Sequence, residues 1–220
     1  IGETAFLNCV SLRSINISHG VTEIGDAAFF FCSSLTSINI PNGVTEIGIW
    51  AFGHCTALTS ITIPDSVTDI EMHAFKRCTS LTSITIPNSV TKIGTWAFSN
   101  CTSLTSITIP NGVSEIDYSA FKGCSSLTSI TIPDSVTVIS CGAFNRCTSL
   151  RQIICNNPDL FTNDNIDNKD QIQFISTTDY FNDNYQDLLN TIENSGFNSN
   201  HVSSKELNLI IKLHQEDYLP

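Results

Sequence analysis

Apolar and polar positions repeat along this chain with a period of 23 residues, from residue 1 to about residue 155. Three apolar columns step by 23 without an insertion or deletion. They are a leucine column (Leu12, Leu35, Leu58, Leu81, Leu104, Leu127, Leu150), a phenylalanine column (Phe6, Phe29, Phe52, Phe75, Phe98, Phe121, Phe144) and a cysteine column (Cys9, Cys32, Cys55, Cys78, Cys101, Cys124, Cys147). A short fixed period predicts a solenoid, because each repeat then buries its apolar side chains against its neighbours.

One copy of the repeat, residues 81–103, shows what each unit is expected to form. Leucine and isoleucine alternate with Ser and Thr at its start, which favours a short extended strand. Pro87 ends that strand because its nitrogen carries no hydrogen for a ladder, and the following Asn-Ser pair predicts a turn. Val90 and Ile93 begin a second extended or turn-rich segment. Three further residues return to the core: Ala97, Phe98 and Cys101.

The consensus Leu-x-x-Ile-x-Ile-Pro, then Val-x-x-Ile and Ala-Phe-x-x-Cys, as in residues 58–78, resembles the BspA-like, treponeme-type branch of the leucine-rich repeat family. The resemblance covers about residues 1–155. It implies an α+β repeat solenoid, a right-handed superhelix with a parallel β-sheet on one face. It also implies surface or secreted adhesion and interaction proteins of bacteria and protist parasites. The family has no shared catalytic residues, so none is carried over.

The repeat fails after Cys155, and this divides the chain into two parts. Residues 1–155 are predicted to form a solenoid of about six and a half repeats. Its first repeat is cut in the middle, so we expect the chain to be a piece of a longer protein. Residues 156–220 are predicted to form an Asn/Asp-rich connection, a short strand near 171–176 and two amphipathic helices, capped by Asp179 and Ser203. These helices are either a C-terminal cap on the last repeat or a separate binding module.

Charge and hydropathy exclude two classes of partner. The formal net charge is −11; residues 1–155 contribute −3 and residues 156–220 contribute −8. A protein without clustered Lys and Arg is poorly suited to nucleic acid or to an anionic membrane surface. Membrane insertion is not expected, since no apolar run approaches the ~20 residues that span a bilayer.

The nine cysteines do not predict disulfides. Equivalent cysteines on strands stacked ~4.8 Å apart point the same way, whereas a disulfide needs converging Cβ atoms at roughly 3.8 Å. We therefore expect the column to be reduced core thiols, with Cys155 also in the core and Cys141 a possible exposed thiol. The five histidines lack metal-ligand spacing, and no metal or other cofactor is predicted.

Two surfaces are candidates for binding. The strand face is a nearly uniform ladder of Ser, Thr and Asn, which is typical of a soluble parallel sheet and, less directly, of ice-binding arrays. Variation instead concentrates in the two columns before Ala-Phe, where a stripe of large residues is predicted to bind a ligand: Trp50, Met72, His73, Trp96 and Tyr118. The alternative is that these rings only shield the edge of the core. The nearby Lys76, Arg77, Lys122 and Arg146 are explained as a solvated edge.

The sequence therefore predicts a noncatalytic interaction solenoid, an adhesin or host-interaction protein that recognises a protein or cell-surface ligand. Two alternatives remain open: the targeting arm of a longer bacterial effector, and a structural spacer. The expected location is the cell surface or the secreted fraction, or else a host cytosol into which the protein is translocated.

Overall fold

The computed structural model of the chain describes residues 1–183. The chain divides into two units, Ile1–Phe174 and Ile175–Pro220, which are considered separately. In the first unit each 23-residue repeat makes one turn, and equivalent residues of successive turns lie beside each other. We call each turn a rung.

The Leu-x-x-Ile-x-Ile segments form the first ladder of parallel strands. Regular strands are β2 (Ser37–Asn39), β4 (Ser60–Thr62), β8 (Ser129–Thr131) and β10 (Gln152–Ile154). Isolated parallel bridges, such as Thr62 with Thr85 and Thr85 with Thr108, continue the ladder between them. The pairing register is the repeat itself, since Ile38 lies opposite Ile61. Isoleucine points inward and its Ser, Thr or Asn neighbours point outward, which confirms the predicted alternation.

A second parallel sheet runs along the solenoid, formed by the Val-x-x-Ile segments. It contains six two-residue strands in sequence order: β1 (Glu23–Ile24), β3 (Glu46–Ile47), β5 (Asp69–Ile70), β6 (Lys92–Ile93), β7 (Glu115–Ile116) and β9 (Val138–Ile139). The sequence predicted a sheet on one face and left this segment open. The segment pairs because its inward isoleucine, at most 9% exposed throughout, fixes the register of each rung.

The third side of each rung is a turn held by two residues in the left-handed backbone region. Trp50 and His54, for example, have φ of 61° and 60°. Their N–H groups donate to the carbonyls of Met72 (3.1 Å) and Lys76 (2.7 Å) on the next rung. A left-handed backbone conformation costs of order 1–3 kcal/mol per non-glycine residue. The hydrogen bonds between rungs hold these residues in that conformation.

The core is a stack of phenylalanine rings with the cysteine column beside it. Ring centroids from Phe6 to Phe144 are 5.1–5.4 Å apart and nearly parallel. Each thiol from Cys32 onward donates to the carbonyl of a phenylalanine 26 residues earlier, at 3.1–3.2 Å.

The prediction of free core thiols is confirmed for the column from Cys32 to Cys147 and for Cys155, and Cys141 is exposed. It is wrong for Cys9, whose side chain is exposed because only the rung of Cys32 packs against its turn.

Residues 156–174 close the end of the solenoid with irregular backbone and two short 3₁₀ helices, Pro158–Leu160 and Lys169–Gln171. Phe161 extends the ring stack, 5.8 Å from Phe144. The buried Asn165 side chain donates to the Ile139 carbonyl at 3.1 Å. The Asp167 carboxylate accepts from the N–H of Arg146 at 2.7 Å. This segment thus supplies acceptors that another repeat would supply.

Strand β11 (Gln173–Ile175) lies next to β10 in the first ladder, within the segment predicted to be a strand. Helix α1 spans Thr177–Asp183. Its cap is Ser176 and not, as predicted, Asp179: the Ser176 hydroxyl accepts from the Asp179 N–H at 3.0 Å and donates to its carboxylate at 2.7 Å. Ser176 is thus the N-cap residue, and Asp179 occupies the third helical position. The remainder of that helix and the predicted second helix lie outside the described residues.

Candidate functional site

A continuous row of aromatic and basic side chains lines the turn side of the solenoid. We call it the aromatic stripe. Its residues occupy the two columns on each side of the buried Ala-Phe pair: Phe30, Phe31, Trp50, His54, His73, Lys76, Trp96, Tyr118 and Lys122. Because the backbone ladder fixes the rungs about 5 Å apart, side chains from five successive repeats meet on this side.

Four of the five residues predicted for a binding stripe come together there. The rings of Trp50 and His73 stack at 4.0 Å with planes 15° apart. His73 lies 6.2 Å from Trp96, which in turn lies 5.8 Å from Tyr118. Tyr118 is 44% exposed, and both tryptophans are half-buried. The rings shield part of the rung edge and still present an aromatic surface to solvent.

Met72, the fifth predicted residue, lines a shallow groove beside the second sheet and is exposed. Asp69 and Lys92 of that sheet also line the groove, as does Asp117, which follows strand β7. Lys92 pairs with Asp117 at 3.2 Å in this groove. The methionine is one column earlier than the tryptophans. Tyr118 is in the same column as Met72 but lies beside Trp96, so the position in the repeat does not by itself decide which residues join the stripe.

The stripe begins earlier than the sequence indicated. Phe30 meets Trp50 edge to face at 5.0 Å, and Phe31 stacks on His54 at 4.2 Å. Phe31 is 40% exposed. The available signal was that Phe30 and Phe31 are apolar residues in columns that otherwise carry mostly polar ones. They were missed because they follow the Ala-Phe pair, whereas the variation considered precedes it.

Two lysines belong to the stripe, and for them the interpretation as a solvated edge is wrong. The Lys76 ammonium lies 5.0 Å from the Trp50 ring centroid and 4.6 Å from that of Trp96. Lys122 lies 5.1 Å from the Trp96 centroid. A cation over an indole face is stabilised by the ring quadrupole, by ~0.5–2 kcal/mol. Arg77 and Arg146 are exposed, as expected.

The stripe has a positive electrostatic character. Burial, and then the Lys76 ammonium, lower the pKa of His73 to about 4. Burial, Arg77 and Lys76 lower the pKa of His54. The pKa of Lys76 is itself lowered by burial and by the charges of Arg77 and Lys122. His73 is therefore neutral at pH 7, and the positive charge is carried by lysine and arginine.

The Ser/Thr face is a different kind of surface. The threonine that follows each leucine bonds to the rung before it: the Thr59 hydroxyl donates to the Thr36 carbonyl at 3.2 Å, and the Thr105 hydroxyl donates to that of Thr82 at 3.2 Å. The outward Ser and Thr columns add small, uniform side chains without an aromatic or basic anchor. This agrees with a tiling role for the face.

Within residues 1–183 no cluster of His, Cys, Asp and Glu has the arrangement of a metal site. In the same range, none of the helical structure has the length and apolar character that a membrane crossing needs.

Comparison with known proteins identifies the repeat. The family model for the BspA type leucine rich repeat region matches residues 1–127 and 68–203, in six copies. The chain matches none of the curated proteins.

Solved structures of similar chains are bacterial leucine-rich repeat proteins. A leucine-rich repeat protein of Treponema pallidum is 32% identical, with a TM-score of 0.62, over 68% of this chain and 70% of that one. A leucine-rich cell surface protein of Faecalibacterium prausnitzii is 29% identical, and a leucine-rich repeat protein of Bacteroides ovatus is 28% identical, each with a TM-score of 0.50 over 80% of this chain. The matches cover 63% and 60% of those two chains. Such solenoids are generally noncatalytic scaffolds that bind proteins or surfaces, and this chain belongs to the BspA-type leucine-rich repeat family.

Proposed function

We propose that this solenoid is a noncatalytic recognition module that binds a protein partner at a cell or host surface through the aromatic stripe. The single observation that supports the assignment is the convergence of Trp50, His73 and Trp96 with Lys76 on one side of the stack. Binding energy at protein interfaces concentrates in tryptophan, tyrosine and arginine anchors. Tyr118 and the exposed Arg77 and Arg146 add anchors of this kind to the same side.

A surface location is supported by one of the similar proteins. The similar Faecalibacterium prausnitzii chain is a leucine-rich cell surface protein. Adhesion to a host component is the activity that such a location and an exposed aromatic surface serve together.

The test removes the two indoles and leaves the scaffold in place. Ala27 and Ser119 occupy the tryptophan column in other rungs, with φ of 52° and 54°, so a small side chain is compatible with this backbone. In the double variant Trp50→Ala/Trp96→Ala we expect the circular dichroism spectrum to be unchanged. Binding to a partner captured from host-cell or matrix extract should weaken by about 30-fold or more, since a hot-spot truncation costs about 2 kcal/mol or more.

The matched control is Ser83→Ala/Ser106→Ala on the exposed Ser/Thr face. It should bind as the wild type does. Unchanged binding by the tryptophan variant would remove the stripe from consideration, and loss in the serine variant alone would assign recognition to the sheet. Failure of the wild-type chain to capture any partner would leave it a spacer.

A further inference from the structure

The charges of the solenoid are segregated by column. Residues 1–155 contain seven basic side chains, and four of them fall in the two columns after the buried phenylalanine: Lys76, Arg77, Lys122 and Arg146. None of the ten acidic side chains of the same range is in these columns. An otherwise acidic chain thus concentrates positive charge along its aromatic stripe, which corrects the expectation that its Lys and Arg residues are not clustered.

The charged groups of these side chains form no ion pair in the part of the chain that the structure describes, although the backbone N–H of Arg146 donates to the Asp167 carboxylate. The ion pairs found there are those of Lys92, with Glu115 at 3.5 Å and Asp117 at 3.2 Å. Lys76 has like charges nearby instead: its pKa is lowered by burial and then by the charges of Arg77 and Lys122. Such a half-buried group of like charges is unfavourable in the free protein, and an anionic ligand relieves it.

The indole faces are already covered. Lys76 and Lys122 come from the rungs on either side of Trp96, and both lie over its ring. Trp50 has His73 stacked on it and Phe30 against it edge to face. A sugar ring needs a free aromatic face to stack on, whereas ring edges and ammonium groups suit carboxylates beside apolar side chains.

We propose that the aromatic stripe binds an acidic peptide segment of a protein partner, with carboxylates paired to Lys76 and Lys122 and an apolar side chain against the ring edges. This inference rests on the proposed function and specifies the chemistry of its ligand. The two ammonium groups lie 4.6 and 5.1 Å from the same ring centroid. They are therefore at most about 10 Å apart. A peptide in the polyproline II conformation rises about 3.1 Å per residue with three residues per turn, so its side chains i and i+3 point the same way about 9 Å apart. The pattern recognised is acid-x-x-acid with an apolar or aromatic residue between.

The probe is a random-peptide phage library selected on the full-length chain, with counter-selection on Lys76→Met/Lys122→Met. Methionine keeps an unbranched apolar chain over the indoles and removes the charge. The control variant is Lys92→Met, which removes a lysine outside the stripe. We expect the enriched peptides to carry Asp or Glu three positions apart.

A synthetic enriched peptide should then bind the double lysine variant at least about tenfold more weakly than the wild type, as expected for lost charge-assisted hydrogen bonds. Binding to Lys92→Met should stay within about twofold of the wild type, since a rim charge outside the contact contributes little. Exchange of Glu for Gln in the peptide should cause the same loss as the double variant. The affinity should fall as salt is raised.

Three results would overturn the inference. The selection could enrich no peptide, or it could enrich peptides without acidic residues. An enriched peptide could also bind the wild type and the double lysine variant equally well. Lysine-dependent binding of a sulfated oligosaccharide without peptide binding would assign the stripe to glycans instead. Neutral peptides whose binding is lost in Trp50→Ala/Trp96→Ala would refute the acidic ligand and keep the proposed function. Peptides that bind the double lysine variant and the double tryptophan variant as well as the wild type would refute both this inference and the proposed function.

Discussion

The central phenylalanine column gives the sharpest test of the folding argument. Phe75 is fully buried, and its ring lies 5.4 Å from that of Phe52 and 5.3 Å from that of Phe98, with planes within 5°. The perturbation is Phe75→Ala, which removes one ring from the middle of the stack. Because the rungs on both sides are held by backbone hydrogen bonds, the space cannot close by collapse.

The expected magnitude follows from the buried area and the packing. A buried phenylalanine removes ~200 Å² from water, worth about 5 kcal/mol at ~25 cal/mol per Å². Measured Phe-to-Ala changes in cores fall at about 3–5 kcal/mol, which includes the cavity left behind. We expect Phe75→Ala to lower the free energy of unfolding by about 4 kcal/mol, a large part of the stability of a typical domain.

Phe6→Ala is the internal control. Phe6 is in the same column, but it is only partly buried and stacks on a single ring, that of Phe29 at 5.1 Å. It should cost about half as much, because the transfer free energy scales with the area removed from water.

The assay is equilibrium urea unfolding followed by tryptophan fluorescence. Trp50 and Trp96 lie one rung before and one rung after Phe75, so the probes bracket the site. A loss below about 1.5 kcal/mol for Phe75→Ala, or equal losses for the two variants, would refute the stacking argument, since the core range begins at about 3 kcal/mol.

Three further predictions concern the turn backbone, the thiols and the stripe histidine. Gly142→Ala should lower the free energy of unfolding by about 1–2 kcal/mol in a urea titration, because Gly142 has φ of +70° and an added Cβ would lie 2.9 Å from the Ser119 hydroxyl; an unchanged midpoint would contradict this. Ellman's reagent should label Cys9 and Cys141 in the native protein, and Cys9→Ser/Cys141→Ser should label only on unfolding, because burial raises the pKa of the column thiols; prompt labelling of that variant would contradict it. The pKa of His73 is about 4 when folded and ~6.5 when unfolded, so only the unfolded chain takes up the proton between these values and stability should fall as the pH drops from 6.5 to 4. In His73→Phe the urea midpoint should fall less between pH 7 and pH 4.5 than it does in the wild type. An equal fall in the two proteins would refute the lowered pKa of His73.

The turn side shows where reasoning from the repeat stopped. Columns of identical residues predict which side chains are buried, and Phe75, Cys78 and Leu81 are buried as expected. Lys76 is a residue of the same repeat, and its column contains Phe30, Gly53 and Ser99, so the consensus says nothing about it. Its role is set by contacts with Trp50 and Trp96, which are 26 residues before it and 20 residues after it.

The C-terminal end shows the same division. Loss of the repeat after Cys155 indicated an irregular segment, and the segment is irregular. No pattern indicated that Asn165 and Asp167 would accept or donate the hydrogen bonds that another rung would make. Each of these contacts depends on a single side chain. The composition of an Asn- and Asp-rich segment does not show which of its side chains will make such a contact.

The sequence alone determined the period, the buried columns and the first parallel ladder, because equal neighbours stacked in register must bury equal residues. It also determined the free core thiols, since parallel Cβ vectors cannot form disulfides. Only the tertiary structure decided that the Val-x-x-Ile segments pair as a second sheet. It alone showed that left-handed turns carry the aromatic stripe and that Lys76 and Lys122 cover the indoles. Those features depend on how different side chains of adjacent rungs are oriented toward each other. The stacked backbone sets that orientation, and the sequence of a single repeat does not.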